Sequence, residues 1–471
     1  MSSILELKAE RDAAEFFISR LQGQIVKLEL RQYPGDLEGP KAWLKLCKAL
    51  IDTALSYLRS AEDMKKSKPD RTKLLREANR VGNNVYNLLV EMEGAGADAL
   101  PYAVVAPMQR WIEELGIKNV TFFRSLSVAN YELHRFNSDD YEGIRDPSQS
   151  LKEILCRTHE WPYLRITVPG KALTILPHFA IVAHEIGHIL HDQKAKKFRF
   201  KKSEEQKFER RVLTEAGAQE FEEKERLFLN DVTQRWATEL FADAIGICLL
   251  GPAFFFALCA FIESIGLGQV ASKTHPPASV RRRIAFQNLN RGPEYNFPAA
   301  FKKATGVALT ETMNSGLLDG VPGATLTLER QIRTLSIRFP TNEATILAFL
   351  PDLIETIAAD IYTEAERIVT EIKRDLLYTS KQFAADLREH LDNLINAVPP
   401  IESGTKIGSK SPTELATILN VGWAALLTKL DDLAVREEGT ELLSAERSEK
   451  LHSLLIKAVE LSEARRKWMN T

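Results

Sequence analysis

The residues best suited to chemistry lie in one run, PHFAIVAHEIGHILHD, at positions 177–192. Within it, HEIGH sets His184 and His188 four residues apart, with Glu185 directly after the first histidine. On a helix, side chains four apart stand one above the other on the same face. Two imidazoles so placed can share a zinc ion, and Glu185 projects beside them as a base for a water that the ion activates. Pro177 suits a first helical turn. Phe179, Val182, Ile186, Ile189 and Leu190 supply an apolar surface at helical spacing. The expectation is one Zn2+ per chain, held in part by His184 and His188.

Two histidines leave such a site incomplete, because hydrolytic zinc takes three protein ligands and keeps one position open. A longer single-helix form, HExxHxxGxxH, needs glycine at 191 and histidine at 194, where this chain has His191 and Lys194. His191 shares a face with His184, but seven helical residues span ~10 Å, and zinc–nitrogen bonds are ~2.1 Å. One ion cannot bridge that distance. The remaining arrangement takes a carboxylate from a second helix, and Glu239 in DVTQRWATELFADAIGICLLGP (231–252) fits it. Asp243, one turn on, is placed to accept the free ring N–H of a ligand histidine and fix its tautomer. Two plainer readings stand beside this one. Glu239 could pair with Arg235 one turn back, and Asp243 could be a surface acid. Asp231 is the expected N-cap of this helix, and Gly251 with Pro252 its stop.

HEIGH followed by ELFAD resembles the gluzincin zinc metallopeptidases, HExxH…ExxxD. The later THPP with its arginines (His275, Pro276, then Arg281, Arg282 and Arg283) is similar to a segment of the CAAX-protease and heat-shock-protease branch. The resemblance covers about 160–290, roughly a quarter of the chain. It implies zinc ligands His184, His188 and Glu239, with Glu185 as base and Asp243 behind a ligand histidine. It further implies His275 or a nearby arginine as a stabiliser of the oxyanion, and leaves open which of the three arginines faces the site. The departure is large, because that branch spans the membrane several times. Here one 19-residue uncharged run, 244–262, has near-spanning length, and Gly251-Pro252 divides it into the end of one buried helix and the start of the next.

The elements that must position these residues are mostly helical. Residues 1–99 carry apolar residues at three- and four-residue steps and form an expected N-terminal helical region. Residues 100–298 are the expected peptidase core, with strand candidates at 120–126, 128–136 and 161–170 and a charged insert at about 193–230. An edge strand there would bind a peptide by backbone pairing. The basic patch 194–202 reads as a solvated face. A helical region (299–398), a linker (399–412) and C-terminal helices (413–471) complete the chain. The fold class is therefore mainly α with an α+β core, a zincin-like unit with a small β-sheet between helical flanks.

Composition narrows the function further. Lys plus Arg (62) nearly balance Asp plus Glu (64), which argues against nucleic acid as a partner. The four cysteines are scattered with no CxxC, so neither a disulfide framework nor a cysteine zinc site is expected. The opening MSSILELKAERDAAEFF meets charge almost at once, without an apolar signal core. A cytoplasmic protein without membrane contact is expected. The functional expectation is a zinc metalloendopeptidase acting on a protein or peptide substrate, regulated by a protein partner through its helical flanks. The alternative is a helical interaction scaffold with a structural or inactive zinc site.

Overall fold

The computed structural model describes residues 2–31, 38–63, 65–93, 102–117, 120–125, 132–136, 163–169, 180–264, 271–314, 328–404, 411–434 and 444–469. The fold is mainly α, as expected. The chain divides into two compact units, Met1–Leu173 and Thr174–Thr471. This division falls inside the 100–298 segment expected to form one core.

In the first unit, α1 (Ser2–Glu29), α2 (Glu38–Glu62) and α3 (Lys68–Glu93) pack against one another. Their apolar stripes meet in one core containing Ile18, Trp43, Leu50, Ala54, Tyr57, Val81 and Val85. The Arg71 Nε donates to the Ala61 carbonyl at 2.8 Å and satisfies an acceptor that the end of α2 leaves open. Helix α4 (Tyr102–Glu114) runs through Pro107. It closes at Gly116, φ +70°, where the Ile117 N–H donates to the Ile112 carbonyl at 2.9 Å.

The three strand candidates form one sheet: β1 (Val120–Ser125), β2 (Glu132–Phe136) and β3 (Tyr163–Pro169). Their order is β1-β3-β2, with β3 parallel to β1 and antiparallel to β2. The strand nearest the HEIGH motif in sequence, β3, is thus the middle strand, and the edges among the described strands are β1 and β2. The sheet belongs to the first unit and the motif helix to the second.

The second unit is built around α7 (Glu223–Leu250). Beside α7 lie α5 (Val182–Lys194), α6 (Lys202–Ala216), α8 (Pro252–Ser264) and α9 (Ala278–Asn288). Then follow α10 (Phe297–Thr305), α11 (Leu309–Asn314), α12 (Leu328–Leu335), α13 (Thr341–Lys373), α14 (Ser380–Ile395), α15 (Leu415–Thr428) and α16 (Ser444–Met469). Helices α5, α9 and α13 pack directly on α7. From Trp236 to Leu250 only Thr238 escapes full burial, the mark of a helix surrounded by core.

Helix α7 does not start at the expected N-cap. Its N-cap lies nine residues earlier, at Glu222, where Glu222 and Glu225 cap each other reciprocally. Asp231 instead sits on the helix surface, paired with Arg235 at 3.0 Å. The charged insert therefore resolves into α6 and the first two turns of α7. Helix α6 lays Phe208 and Val212 against its neighbours and sets Arg211 over the Phe349 ring of α13.

The apolar run 244–262 breaks at Gly251 and Pro252 as expected. Gly251 has φ +55°, with Phe297 and Tyr378 side chains within 3.0–3.1 Å of where a Cβ would stand. Asn420 of α15, 1% exposed, spans the break. Its Nδ2 donates to the Leu250 carbonyl at 2.8 Å, and its Oδ1 accepts from the Ala253 N–H at 2.9 Å. Among the described residues no helix is long and apolar enough to cross a membrane. Part of the expected 399–412 linker is ordered as an antiparallel pair, β4 (Glu402–Ser403) with β5 (Ser411–Pro412). Residues 405–410 lie outside the described residues.

Candidate metal centre

The motif run folds as α5, so His184 and His188 do stand on one face, their rings 4.6 Å apart edge to face. That face meets α7. Gly187, inside the motif, makes the approach close: a Cβ there would stand 2.6 Å from the Ala242 Cα and 2.9 Å from its carbonyl oxygen. Ala242 lies just before Asp243 and three residues after Glu239, so this contact brings both carboxylates to the histidines.

The resulting cluster is tight. His184 and His188 turn their Nε2 atoms toward each other at 3.0 Å. Glu239 places Oε2 3.4 Å from the His184 Nε2 and Oε1 3.5 Å from the His188 Nε2. One ligand atom from each of the three residues lies within 4.8 Å of the other two. Arg235 is occupied with Asp231, so the plain reading of Glu239 as its partner fails.

Asp243 is not a surface acid either, being fully buried. Its Oδ1 stands 2.9 Å from the His184 Nδ1. Arg281 of α9 closes on it from the other side, with Nε donating to Oδ2 at 2.9 Å and Nη2 to Oδ1 at 2.7 Å. The fork geometry of this pair suits a buried carboxylate. It also answers which arginine faces the site. Arg281 does, whereas Arg282 turns to Glu263 at 3.4 Å and Arg283 to Glu355.

The electrostatics follow from this packing. Burial alone would depress the His184 pKa, but the Asp243 and Glu239 carboxylates beside the ring outweigh it and raise the pKa to about 10. His188 goes the other way, to about 4, because it is buried beside a charged His184. Burial would raise both carboxylates, yet Glu239 and Asp243 lie below the usual carboxylate range. For Glu239 the opposing groups are His184, His188 and Arg281, and for Asp243 they are Arg281 and His184.

This donor set fits a divalent metal. The two Nε2 atoms and the carboxylate converge on one point, and the buried Glu239 Oε2 makes no directed hydrogen bond despite its charged neighbours. A cation would satisfy that oxygen. Asp243 on the Nδ1 of His184 leaves Nε2 as its ligand atom.

His275 stands at the rim. Its Nε2 is 3.5 Å from the Glu239 Oε1, and its side chain is 43% exposed. The Thr274 hydroxyl lies 2.8 Å from its Nδ1. Burial, helped by Arg281 and His184, keeps its pKa below the ordinary histidine value despite Glu239. Glu185 is buried at 7% on α5 beside His184. His191 is no ligand. It packs edge-on against Phe241 at 5.4 Å and lies 3.3 Å from the Thr238 hydroxyl, pinning α5 to α7.

Sequence reasoning missed Gly187, and it left the bond from Trp236 Nε1 to the Ser272 carbonyl (2.9 Å) unforeseen. The small residues at 187 and 242 were a usable signal for the first. The second needed the tertiary structure. No family model matches this chain, and neither a curated protein nor a solved structure matches it.

Proposed function

We propose that the chain is a zinc metalloendopeptidase. One observation carries this reading: His184, His188 and Glu239 converge within 4.8 Å, with Glu185 next to the first ligand. Zinc is the ion that suits two imidazoles and one carboxylate. When bound, it would supply Lewis acidity, lowering the pKa of a water and polarising a substrate carbonyl.

The chain's own residues would do the rest. The Glu185 carboxylate accepts a proton from the attacking water and passes it to the leaving amine as the peptide C–N bond breaks. In the tautomer with its proton on Nε2, which leaves Nδ1 to accept from the Thr274 hydroxyl, His275 would donate to the oxyanion. Asp243, clamped by Arg281, fixes the tautomer and ring orientation of His184. The substrate is a protein or peptide, and a regulatory protein partner would engage the helical flanks. Cys47, Cys248 and Cys259 are buried and form no disulfide, which suits a reducing, cytoplasmic setting.

The test is Glu185→Gln on zinc-loaded protein. Zinc content should stay at one per chain while peptide hydrolysis falls by about 10²–10⁴, the usual worth of a general base. Wild-type turnover in this variant would defeat the reading, as would wild-type protein that takes up no zinc. A scaffold with a structural zinc would show four protein ligands by X-ray absorption instead of an open position.

A further inference from the structure

His275 sits in the segment between α8 and α9, outside regular secondary structure. A rim residue there would wander unless something held it. Ser272 organises the turn itself. Its Oγ accepts from the His275 N–H at 2.8 Å, and its N–H donates to the His275 carbonyl at 3.2 Å. The buried Trp236 of α7 donates to the Ser272 carbonyl.

Lys273, the residue after Ser272 in this turn, reaches toward α7 and α13. Its Nζ lies 4.7 Å from the Phe228 ring centroid and 5.2 Å from that of Phe339, and it pairs with Glu343 at 3.1 Å. Phe228 belongs to the early turns of α7, at the end of the charged insert. Phe339 and Glu343 flank the start of α13. One ammonium thus joins the His275 turn to the early part of α7 and the start of α13, beyond the contacts that Trp236 and Glu239 of α7 make with the turn. Two cation–π contacts and an ion pair converge on it, although its side chain is 45% exposed.

We propose that Lys273 is a positioning residue that holds His275 Nε2 in place over the metal centre by tying its turn to α7 and α13. The proposal rests on the peptidase reading for its catalytic consequence, but not for its structural one. Because Lys273 is half-exposed and lies outside any helix, replacing it should leave the fold intact. Methionine keeps the apolar stem and removes the charge. Arginine keeps both the charge and the ring stacking.

The experiment uses the full zinc-loaded chain with Lys273→Met, Lys273→Arg and His275→Ala. Amide exchange of residues 272–275 should speed up about tenfold in Lys273→Met, the loss expected for three weak contacts, and return to the wild-type rate in Lys273→Arg. Peptide kcat should fall about tenfold in Lys273→Met with KM and zinc content unchanged, and the double variant with His275→Ala should lose no more than His275→Ala alone. Wild-type exchange in Lys273→Met, or a kcat loss that adds to that of His275→Ala, would overturn the proposal. If zinc-loaded wild type cleaves no peptide, the peptidase reading falls, and the exchange arm still decides whether Lys273 holds the turn.

Discussion

The His184 ring faces acid on both sides, Asp243 at Nδ1 and Glu239 near Nε2, while His188 faces His184. In metal-free protein one proton therefore belongs to His184, and His188 stays neutral. The sign of the pH dependence follows. A histidine whose folded pKa is raised to about 10 contributes stability that is complete below the unfolded value of about 6.5 and is lost as pH climbs through about 10. His188, depressed to about 4, contributes stability that is lost as pH falls from about 6.5 through about 4. Metal-free protein should be most stable near neutrality and weaken toward both pH 4 and pH 10. Urea melts across that range measure this directly, and a flat alkaline limb would contradict the His184 assignment. Zinc must displace the His184 Nε2 proton, so uptake at neutral pH should release about one proton, read by calorimetry in buffers of different ionisation enthalpy. At this scale the sequence was informative. The four-residue spacing placed both histidines on one face, and the acids one turn apart pointed to Glu239 and Asp243. It could not choose among three adjacent arginines, since consecutive helical residues point in different directions and only packing decides which one meets Asp243.

Between elements the site depends on how closely α5 and α7 approach, and Gly187 sets that distance. Alanine normally gains about 1 kcal/mol over glycine inside a helix. Here its Cβ would stand 2.6 Å from the Ala242 Cα, a backbone atom that cannot rotate away. Forced overpacking of this kind costs about 1–3 kcal/mol, so Gly187→Ala should be net destabilising by up to about 2 kcal/mol. The helices must part to admit the methyl, which draws Glu239 away from the two imidazoles. Zinc affinity should fall together with stability. Urea denaturation and competition titration with a chromophoric chelator measure the two effects. A Gly187→Ala protein that is more stable than wild type with unchanged zinc affinity would show that the approach is not limiting. The elements themselves were legible where periodicity was strong: α1 to α3, the motif helix, the three strands and the Gly-Pro stop. The start of α7 was not, because its cap is a Glu222–Glu225 pair in place of the Ser, Thr, Asp or Asn that signals a helix start. Strand order was hidden too, since alternation marks a strand without saying which neighbour it pairs with.

Across the second unit, the helix that carries Glu239 and Asp243 is closed by a residue far away in sequence. Asn420 supplies a donor to the Leu250 carbonyl and an acceptor to the Ala253 N–H, two groups that the Gly251-Pro252 break strips of helical partners. Both lie in a core that water does not reach. Removing the amide leaves them unsatisfied at about 1–3 kcal/mol each. Asn420→Ala should therefore destabilise the chain by about 2–5 kcal/mol, and Asn420→Leu, which restores volume but no hydrogen bonds, should recover little of it. The candidate metal centre lies at the other end of the same buried stretch, and sites without shared partners act additively. Zinc at 100 times its dissociation constant should add about 2.7 kcal/mol to wild type and the same amount to Asn420→Ala, so both melting curves should shift upward together. His188→Ala should lose the zinc-induced shift altogether. If Asn420→Ala instead abolished the zinc response while folded, the two ends of α7 would be coupled through the helix, and the centre would depend on α15 for its geometry as well as for its stability.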